Sequence, residues 1–218
     1  MEPAGTALHD DLAVIDQRVR RLFALVSEAI AAATEALLAR DRDAAQVVIV
    51  DDAVLDDLQT DIEAVVERCL TLQQPFASDI RYLFTVLRIA PQLERCGDLA
   101  EHIAQRADPT LIGELPPSVR GRFARMGELA VDMWQVVGQA WLEADAAAGA
   151  RLAADDDELD KVHGEVRAEL AAGALPVADA VEMALVARFY ERLGDHAVSI
   201  ARRIELLSGR RPAHLDSD

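Results

Sequence analysis

The sequence predicts an all-α protein, and three features of the chain support that prediction. Alanine makes up about a fifth of the 218 residues and aromatic residues only 4%, a bias that favours helices because alanine is the least costly residue in a helix. Glycine and proline are few and grouped, so they divide the chain into long segments. Within these segments apolar residues recur in heptads, which is typical of helices that pack in bundles at shallow crossing angles.

Six long helices are predicted between the helix-breaking residues. Ser78 and Ser118 are expected to be the N-caps of the third and fourth helices, because a serine hydroxyl can accept a hydrogen bond from the first turn. The extended break at residues 109–117 is rich in proline and glycine. The predicted helices cover residues 7–40, 42–72, 78–107, 118–145, 147–172 and 176–208.

The second half of the chain repeats the first. The dipeptide Leu-Asp at 55–56 recurs at 159–160, an offset of 104, and Glu-Arg-Cys-Gly-Asp at 94–98 recurs as Glu-Arg-Leu-Gly-Asp at 191–195, an offset of 97. The offsets differ by one heptad, so the second half has lost two helical turns across the hairpin between its second and third helices and keeps the same faces in register. The sequence therefore predicts two tandem, duplicated three-helix bundles. The first repeat spans residues 1–108, the linker 109–117 and the second repeat 118–218.

The charge and the cysteines argue against several classes of protein. The formal net charge is −17 and no strong basic patch offsets it, so a nucleic-acid partner is not expected. Acids or arginines interrupt every apolar stretch before it reaches the roughly 18 residues of a membrane-spanning helix, and residues 1–11 lack the features of a secretory signal. Cys69 and Cys96 lie in apolar-periodic segments, which indicates a reducing compartment without disulfides. We therefore expect a soluble, cytoplasmic protein.

Four acidic pairs with i, i+4 spacing stand at equivalent places in the two repeats. Like charges one helical turn apart destabilise a helix by about 0.2–0.5 kcal/mol, and this cost recurs in both halves. Carboxylates that converge from neighbouring helices, at the flank of the apolar seam, would form a solvent-open site for Fe, Mn, Mg or Zn. The alternative is an ordinary solvated acidic face. The predicted metal ligands are Asp52 and Asp56, Glu94 and Asp98, Asp156 and Asp160, and Glu191 and Asp195.

The repeat weakens the case for other chemically active residues. Cys96 corresponds to Leu193, so we interpret it as an apolar packing residue. No histidine is matched by a histidine in the other repeat. His102, one turn beyond the first glycine motif, remains an additional candidate ligand, whereas Asp160-x-x-His163 lacks the second copy that a di-iron site requires. No catalytic triad, phosphate-binding glycine loop or dinucleotide fingerprint is found.

The two glycine-containing motifs are informative in themselves. A glycine in the middle of a helix costs about 1 kcal/mol relative to alanine, so its presence in both copies predicts that each helix approaches a neighbour closely. The sequence at 191–197, Glu-Arg-Leu-Gly-Asp-His-Ala, resembles the signature of the PhoU family of bacterial phosphate-signalling proteins, and 94–98 resembles its first-repeat copy. Gln74-Pro75 followed by Ser-Asp-Ile-Arg at 78–81 is also similar to this family. The motif residues outside the acidic pairs are Arg95, Gly97, Arg192 and Gly194.

The resemblance implies a fold, a function and a set of partners. It implies two three-helix bundles whose acidic pairs associate with metal in some members of the family, and a protein that is not an enzyme. It implies a negative regulator that couples the Pst phosphate ABC transporter to a PhoR-type sensor kinase, so that the phosphate-starvation response stays off when phosphate is plentiful. The expected partners are the transporter ATPase subunit, the kinase and, in a homodimer, a second copy, and contact with the membrane would come only through these partners.

The chain also departs from the family pattern. The family often has asparagine eight residues after the motif glutamate and an acid three residues later, where this chain has His102 and Gln105 in the first copy and Ser199 and Arg202 in the second. Arg202 would repel a cation, so metal identity and number stay open. The alternative reading is a carboxylate-cluster metalloprotein or redox enzyme built on a helical bundle.

Overall fold

The computed structural model describes residues 4–209, 211, 212 and 215, and the described residues form six α-helices and no strand. A 3-10 turn at Gln105–Ala107 follows the third helix. This architecture confirms the all-α prediction. The helices are α1 (Ala4–Ala39), α2 (Arg42–Leu72), α3 (Ala77–Ala104), α4 (Pro117–Glu143), α5 (Ala148–Ala171) and α6 (Val177–Leu207).

Two helices begin earlier than the predicted serine caps. Phe76 and Pro116 occupy the N-cap positions of α3 and α4. In α3 the Asp79 carboxylate accepts a hydrogen bond from the Phe76 backbone N–H at 2.9 Å, which satisfies that donor without a serine cap. In α4 a proline at the first position has the φ angle of a helix already set, and the Ser118 hydroxyl donates to Glu169 of α5 instead. Both predicted serine caps were therefore wrong.

The hairpin of the second half is shorter, as the two offsets predict. Helix α2 has 31 residues and α5 has 24. At the offset of 104 the last residue of α5 corresponds to Glu67, whereas α2 continues to Leu72. At the offset of 97 the first residue of α6 corresponds to Ile80, whereas α3 already begins at Ala77. Each helix of this hairpin has therefore lost roughly one turn, because a turn is about 3.6 residues.

Each half packs as three helices in mutual contact, and the halves meet along two helix pairs. Helix α1 packs against α4, and α3 packs against α6. Both pairs are antiparallel: position 127 of α4 lies beside Thr34 and position 138 beside Phe23. In the other pair Gln92 and His102 of α3 lie beside His196 and Phe189 of α6. Buried residues of all six helices form one continuous hydrophobic core. Helices α2 and α5 thus lie on the outside, where each presents one acidic pair to its neighbour.

A buried ion pair joins the two halves and the segment after α6. Asp16 of α1 is 4% exposed and Arg211 is 8% exposed, and the Arg211 guanidinium donates to an Asp16 carboxylate oxygen. The Trp141 indole of α4 donates to the same oxygen at 3.0 Å, and the Tyr82 hydroxyl of α3 donates to it at 3.3 Å. Because the pair is buried and held by several hydrogen bonds, removal of either partner is expected to destabilise the protein strongly.

Helix α1 holds the one segment, among the described residues, that could cross a membrane by length and composition. An 18-residue window within Ala7–Ala39 reaches a mean hydropathy of 1.7. The expectation that charges interrupt every stretch was therefore too strict, because isolated acids such as Glu28 and Glu35 lower the average only slightly. In the folded chain α1 contacts α2, α3 and α4, and residues such as Leu22 and Ile30 are fully buried. Packing as a central helix accounts for the buried part of this apolar stretch, which is 39% of that window.

Candidate functional site

The first acidic cluster consists of Asp52 and Asp56 of α2 and Glu94 and Asp98 of α3. One carboxylate oxygen from each of the three aspartates lies within 4.8 Å of the other two. Asp52 and Asp98 are partly buried and Asp56 is exposed. The cluster therefore lies at the edge of the α2–α3 contact and is open to solvent on one side.

A glycine of α3, Gly97, lies where this helix passes closely beneath the cluster. A Cβ atom at position 97 would lie 2.7 Å from Asp52 Oδ1 and 3.1 Å from a Leu55 methyl carbon. The second half repeats the arrangement, since a Cβ atom at position 194 would lie 2.7 Å from a Leu159 methyl carbon and 2.9 Å from Asp156 Oδ1. The predicted close approach of these helices is confirmed. In each half the glycine lies against an aspartate of the predicted site and against the leucine three residues after that aspartate.

The first cluster concentrates negative charge. Burial, and then the charges of Asp98, Glu101, Asp56 and Glu94, raise the pKa of Asp52 to about 7. Burial, with the nearby aspartates, also raises the pKa of Glu94. Both shifts disfavour the ionised carboxylates in the protein alone. A bound cation would act in the opposite direction, because it stabilises the ionised form.

The second acidic cluster consists of Asp156 and Asp160 of α5 and Glu191 and Asp195 of α6. Here the three candidate ligand atoms that lie within 4.8 Å of one another come from Asp160, His163 and Glu191. Burial, followed by Arg167 and Arg188, lowers the pKa of His163, which favours the neutral imidazole that a metal requires. The second cluster therefore offers nitrogen as well as oxygen, where the first offers oxygen alone.

Two arginines further distinguish the second cluster. The Arg188 guanidinium donates to Glu191 Oε1, and Arg202 opposes the rise in the pKa of Asp156 that burial and Asp160 cause. The corresponding residues of the first half are Pro91 and Gln105, which carry no charge. Glu191 Oε2 is nevertheless buried and accepts no hydrogen bond among the described residues, so one oxygen of this carboxylate is available to a cation or water.

The sequence analysis did not include His163 or Glu101 among the site residues, and it placed His102 as an additional candidate ligand near the first cluster. His163 was set aside because its counterpart is Gln59, although its spacing of three residues from Asp160 was the available signal. Glu101, whose charge acts on Asp52, was not among the predicted site residues, and its counterpart in the second half is Val198. His102 does not join the first cluster: its ring packs 5.4 Å from the Phe189 ring of α6.

The remaining motif residues lie where α3 crosses α6. Arg95 forms an ion pair with Asp98 at 3.5 Å. Arg192 lies near His196, whose pKa is lowered by burial and then by this arginine. Cys96 is fully buried and both cysteines are free thiols, and burial raises the pKa of the Cys96 thiol. The packing role predicted for Cys96 is confirmed.

Comparison with known proteins identifies the family. The sequence model of the PhoU domain matches residues 19–107 and again residues 123–204. The chain belongs to the PhoU family. The two matches fall on the two halves that contain the two acidic clusters, and the PhoU model thus accounts for most of the described chain.

Named PhoU relatives cover nearly the full length of this chain. The phosphate-specific transport system accessory protein PhoU homolog 2 of Mycobacterium tuberculosis is 34% identical over 204 residues, which are 91% of this chain and 95% of the relative. The PhoU homolog of Caulobacter vibrioides, also named an accessory protein of this transport system, is 31% identical over 215 residues, 93% of each chain. These relatives carry the names of accessory proteins and not of enzymes.

Solved PhoU structures share the fold. PhoU of Pseudomonas aeruginosa superposes with a TM-score of 0.85 at 25% identity, over 91% of this chain and 97% of that one. A phosphate transport system regulatory protein PhoU of Streptococcus pneumoniae superposes with a TM-score of 0.82 at 23% identity, over 95% of this chain and 97% of that one. The six-helix arrangement is therefore that of PhoU proteins.

Proposed function

We propose that this PhoU protein is a non-catalytic regulator of phosphate transport. The observation that carries the proposal is the match of both halves to the PhoU domain, together with relatives named accessory proteins of phosphate-specific transport. The match spans 95% of the mycobacterial relative, so the comparison covers nearly the full length of that relative.

In its finer form, the proposal is negative coupling of a Pst transporter to a PhoR-type kinase. In this role the protein is cytoplasmic, reaches the inner face of the membrane through its partners, and acts as a monomer or homodimer. A deletion strain of the host should express phosphate-starvation genes in high phosphate, and the wild-type gene should restore repression. Retained repression in the deletion strain would overturn the regulatory proposal.

Direct association can be measured separately from repression. Purified protein should bind the transporter ATPase subunit and the cytoplasmic part of the kinase in surface plasmon resonance, with both partners measured at low and high phosphate. Repression without binding to either partner would leave the regulatory role intact and exclude this coupling mechanism.

We also propose that the two acidic clusters bind Fe, Zn, Mn or Mg. Two features support this proposal: the converging carboxylates of the first cluster, and the buried Glu191 oxygen that accepts no hydrogen bond from the part of the chain that the structure describes. Hard and borderline cations take such oxygen ligands. Asp98→Asn together with Asp195→Asn should lower the metal content measured by mass spectrometry without loss of helicity. Unchanged metal content would exclude these ligands, and the two single variants would separate the two clusters.

The redox-enzyme alternative draws on the mixed donor set of Asp160, His163 and Glu191. Nitrogen and oxygen donors together suit iron, manganese and zinc. An oxidase assay on iron-loaded protein distinguishes the proposals: turnover that His163→Gln abolishes would favour the enzyme, whereas iron binding without turnover would favour the regulator.

A further inference from the structure

A groove of about 710 Å³ lies between α5 and α6 near the hairpin that joins them. Its walls carry small residues on both helices, among them Gly164, Ala168 and Ala171 of α5 and Ala184 of α6. Leu170 and Leu175 are buried residues that also line it. The groove is thus apolar and shallow, with a close approach to the backbone of both helices.

The first half has larger side chains at several of the corresponding positions. At the repeat offsets, Leu87 and Phe84 of α3 correspond to Ala184 and Val181 of α6. Thr60 of α2 corresponds to Gly164 of α5. Loss of side-chain volume, together with the shorter hairpin, opens a space between two helices that otherwise pack in the same way. The groove is therefore a feature in which the second repeat diverged from the first.

A stripe of large apolar side chains continues along the edge of this groove. Val177, Val181 and Leu185 follow one another at four-residue spacing on α6 and are 81%, 54% and 41% exposed. This spacing places them on one face of the helix, over a length of about 12 Å at 1.5 Å per residue. A contiguous apolar surface of this kind is typical of a contact with another protein segment.

The one charged residue that lines the groove is an arginine, in a protein whose net charge is −17. Arg167 lines the groove, is exposed, and makes no side-chain hydrogen bond or ion pair among the described residues. Arg188 follows Ala184 by one turn of α6 but is paired with Glu191, so the charge available to an occupant of the groove is that of Arg167. The first half has Glu63 in place of Arg167 and an acid, Glu67, in place of the groove residue Ala171. The reversal of sign accompanies the opening of the groove and favours an acidic occupant.

We propose that the α5–α6 groove binds an amphipathic helix of a partner protein, with an apolar face and flanking Asp or Glu residues. The apolar face would pack on Val181 and between the small residues of the two walls, as in helix-in-groove recognition. A flanking acid would pair with Arg167. This inference goes beyond the proposed function, because it holds for any protein that supplies the helix and does not depend on metal in the acidic clusters.

A designed peptide pair tests the chemistry of the groove. The probe is a dye-labelled 18-residue helical peptide with leucines on one face and glutamates on both flanks, and its control has lysines in place of the glutamates. Fluorescence anisotropy should show saturable binding of the glutamate peptide to the full chain. The lysine peptide should bind at least about tenfold more weakly. High salt should weaken the binding of the glutamate peptide.

Variants that introduce the first-half residues at groove positions test whether the peptide binds in this groove. Ala184→Leu should fill the groove, and Arg167→Glu should reverse the charge that lines it. Each substitution should weaken the binding of the glutamate peptide by about tenfold. Arg81→Glu is the matched control, since Arg81 is an exposed residue of α3 without a side-chain hydrogen bond or ion pair among the described residues. It should change binding less than twofold. Circular dichroism establishes that each variant remains helical.

Three results would overturn the proposal. The first is no saturable binding of the glutamate peptide to the wild-type chain, and the second is equal binding of the two peptides. The third is self-association of the wild-type chain, measured by sedimentation velocity, that Ala184→Leu abolishes, because the groove would then bind a second copy of this chain.

Discussion

The two acidic clusters occupy equivalent places in a duplicated fold but differ in charge and in ligand chemistry. In the first, Glu101 adds a further negative charge near Asp52. In the second, Arg188 donates to Glu191 and Arg202 acts on Asp156, while His163 supplies a nitrogen atom near two carboxylates. The comparison shows that the duplication preserved the close helix approach at Gly97 and Gly194, whereas residues one or two turns from the acidic pairs differ in charge and set the electrostatics of each cluster.

The largest expected change in stability comes from the buried ion pair that joins the two halves. A variant at this pair tests whether the halves, which differ at their acidic clusters, unfold as one unit. Asp16→Asn removes the buried negative charge to which Arg211, Arg20 and Trp141 all donate, so we expect a loss of about 3–5 kcal/mol in the free energy of unfolding. Urea unfolding should be followed both by circular dichroism and by tryptophan fluorescence, since Trp134 and Trp141 both lie in α4. Coincident transitions would show that the halves unfold together.

The control for this variant is an exposed ion pair. Asp61→Asn removes a contact of 3.6 Å with Arg18 in which the Asp61 side chain is 65% exposed, and we expect a change of about 0–1 kcal/mol. A loss of less than 1 kcal/mol for Asp16→Asn would contradict the role assigned to the buried pair.

The next effect compares the two glycines. Gly194→Ala brings a Cβ atom against a Leu159 methyl carbon, whereas Gly97→Ala meets the carboxylate end of Asp52 first. We expect Gly194→Ala to destabilise the protein by about 1–3 kcal/mol through overpacking, and Gly97→Ala to destabilise it less, because a carboxylate moves more readily than a packed leucine. Thermal unfolding of the metal-free proteins measures both.

The matched glycine control is Gly121 of α4, where an added Cβ atom meets nothing within 4 Å. Gly121→Ala should stabilise the protein by about 0.5–1 kcal/mol, because alanine is the better helix residue. If the variants at 97 and 194 behaved like this control, the close approach would not constrain either position.

The pH dependence of stability should be stronger in the first half. The pKa of Asp52 is raised to about 7 from 3.8, so between these values the folded protein holds a proton that the unfolded chain releases. Stability conferred by that proton is present at low pH and is lost as the pH rises towards and through 7. In EDTA, unfolding in urea should therefore show lower stability at pH 8 than at pH 6, and Asp52→Asn should reduce this difference.

Asp156→Asn provides the second-half comparison. Arg202 partly offsets the rise in the pKa of Asp156, so this variant should change the pH dependence less than Asp52→Asn does. A larger effect at position 156 would reverse the electrostatic ranking of the two clusters.

The smallest effect concerns the arginine that distinguishes the second cluster. Arg202→Gln introduces the residue found at the first-half position 105, removes a cation near Asp156, and should tighten metal binding at this cluster by a few fold. Calorimetric titration of metal in an Asp98→Asn background isolates the second cluster. Weaker metal binding after this substitution would indicate that Arg202 supports the site instead of opposing it.

Much of the fold and of the candidate site follows from local sequence patterns. Heptads and breakers predicted six helices because one face of each helix must be apolar to be buried. The offsets of 104 and 97 predicted the shorter hairpin, since only a heptad deletion keeps the faces in register. The serine caps were wrong because Asp79 and Pro117 provide competing ways to begin a helix.

The sequence by itself determined the helices, the duplication, the paired acids and the two glycines, because each depends on spacing along one helix. The tertiary structure decided what lies between helices: the Asp16–Arg211 pair, which joins residues 195 positions apart, the packing of His102 on Phe189, and the place of His163 beside Glu191. It also decided that the second hairpin encloses a groove. These contacts depend on which helices become neighbours and on how closely they approach, and no periodicity within one helix contains that information.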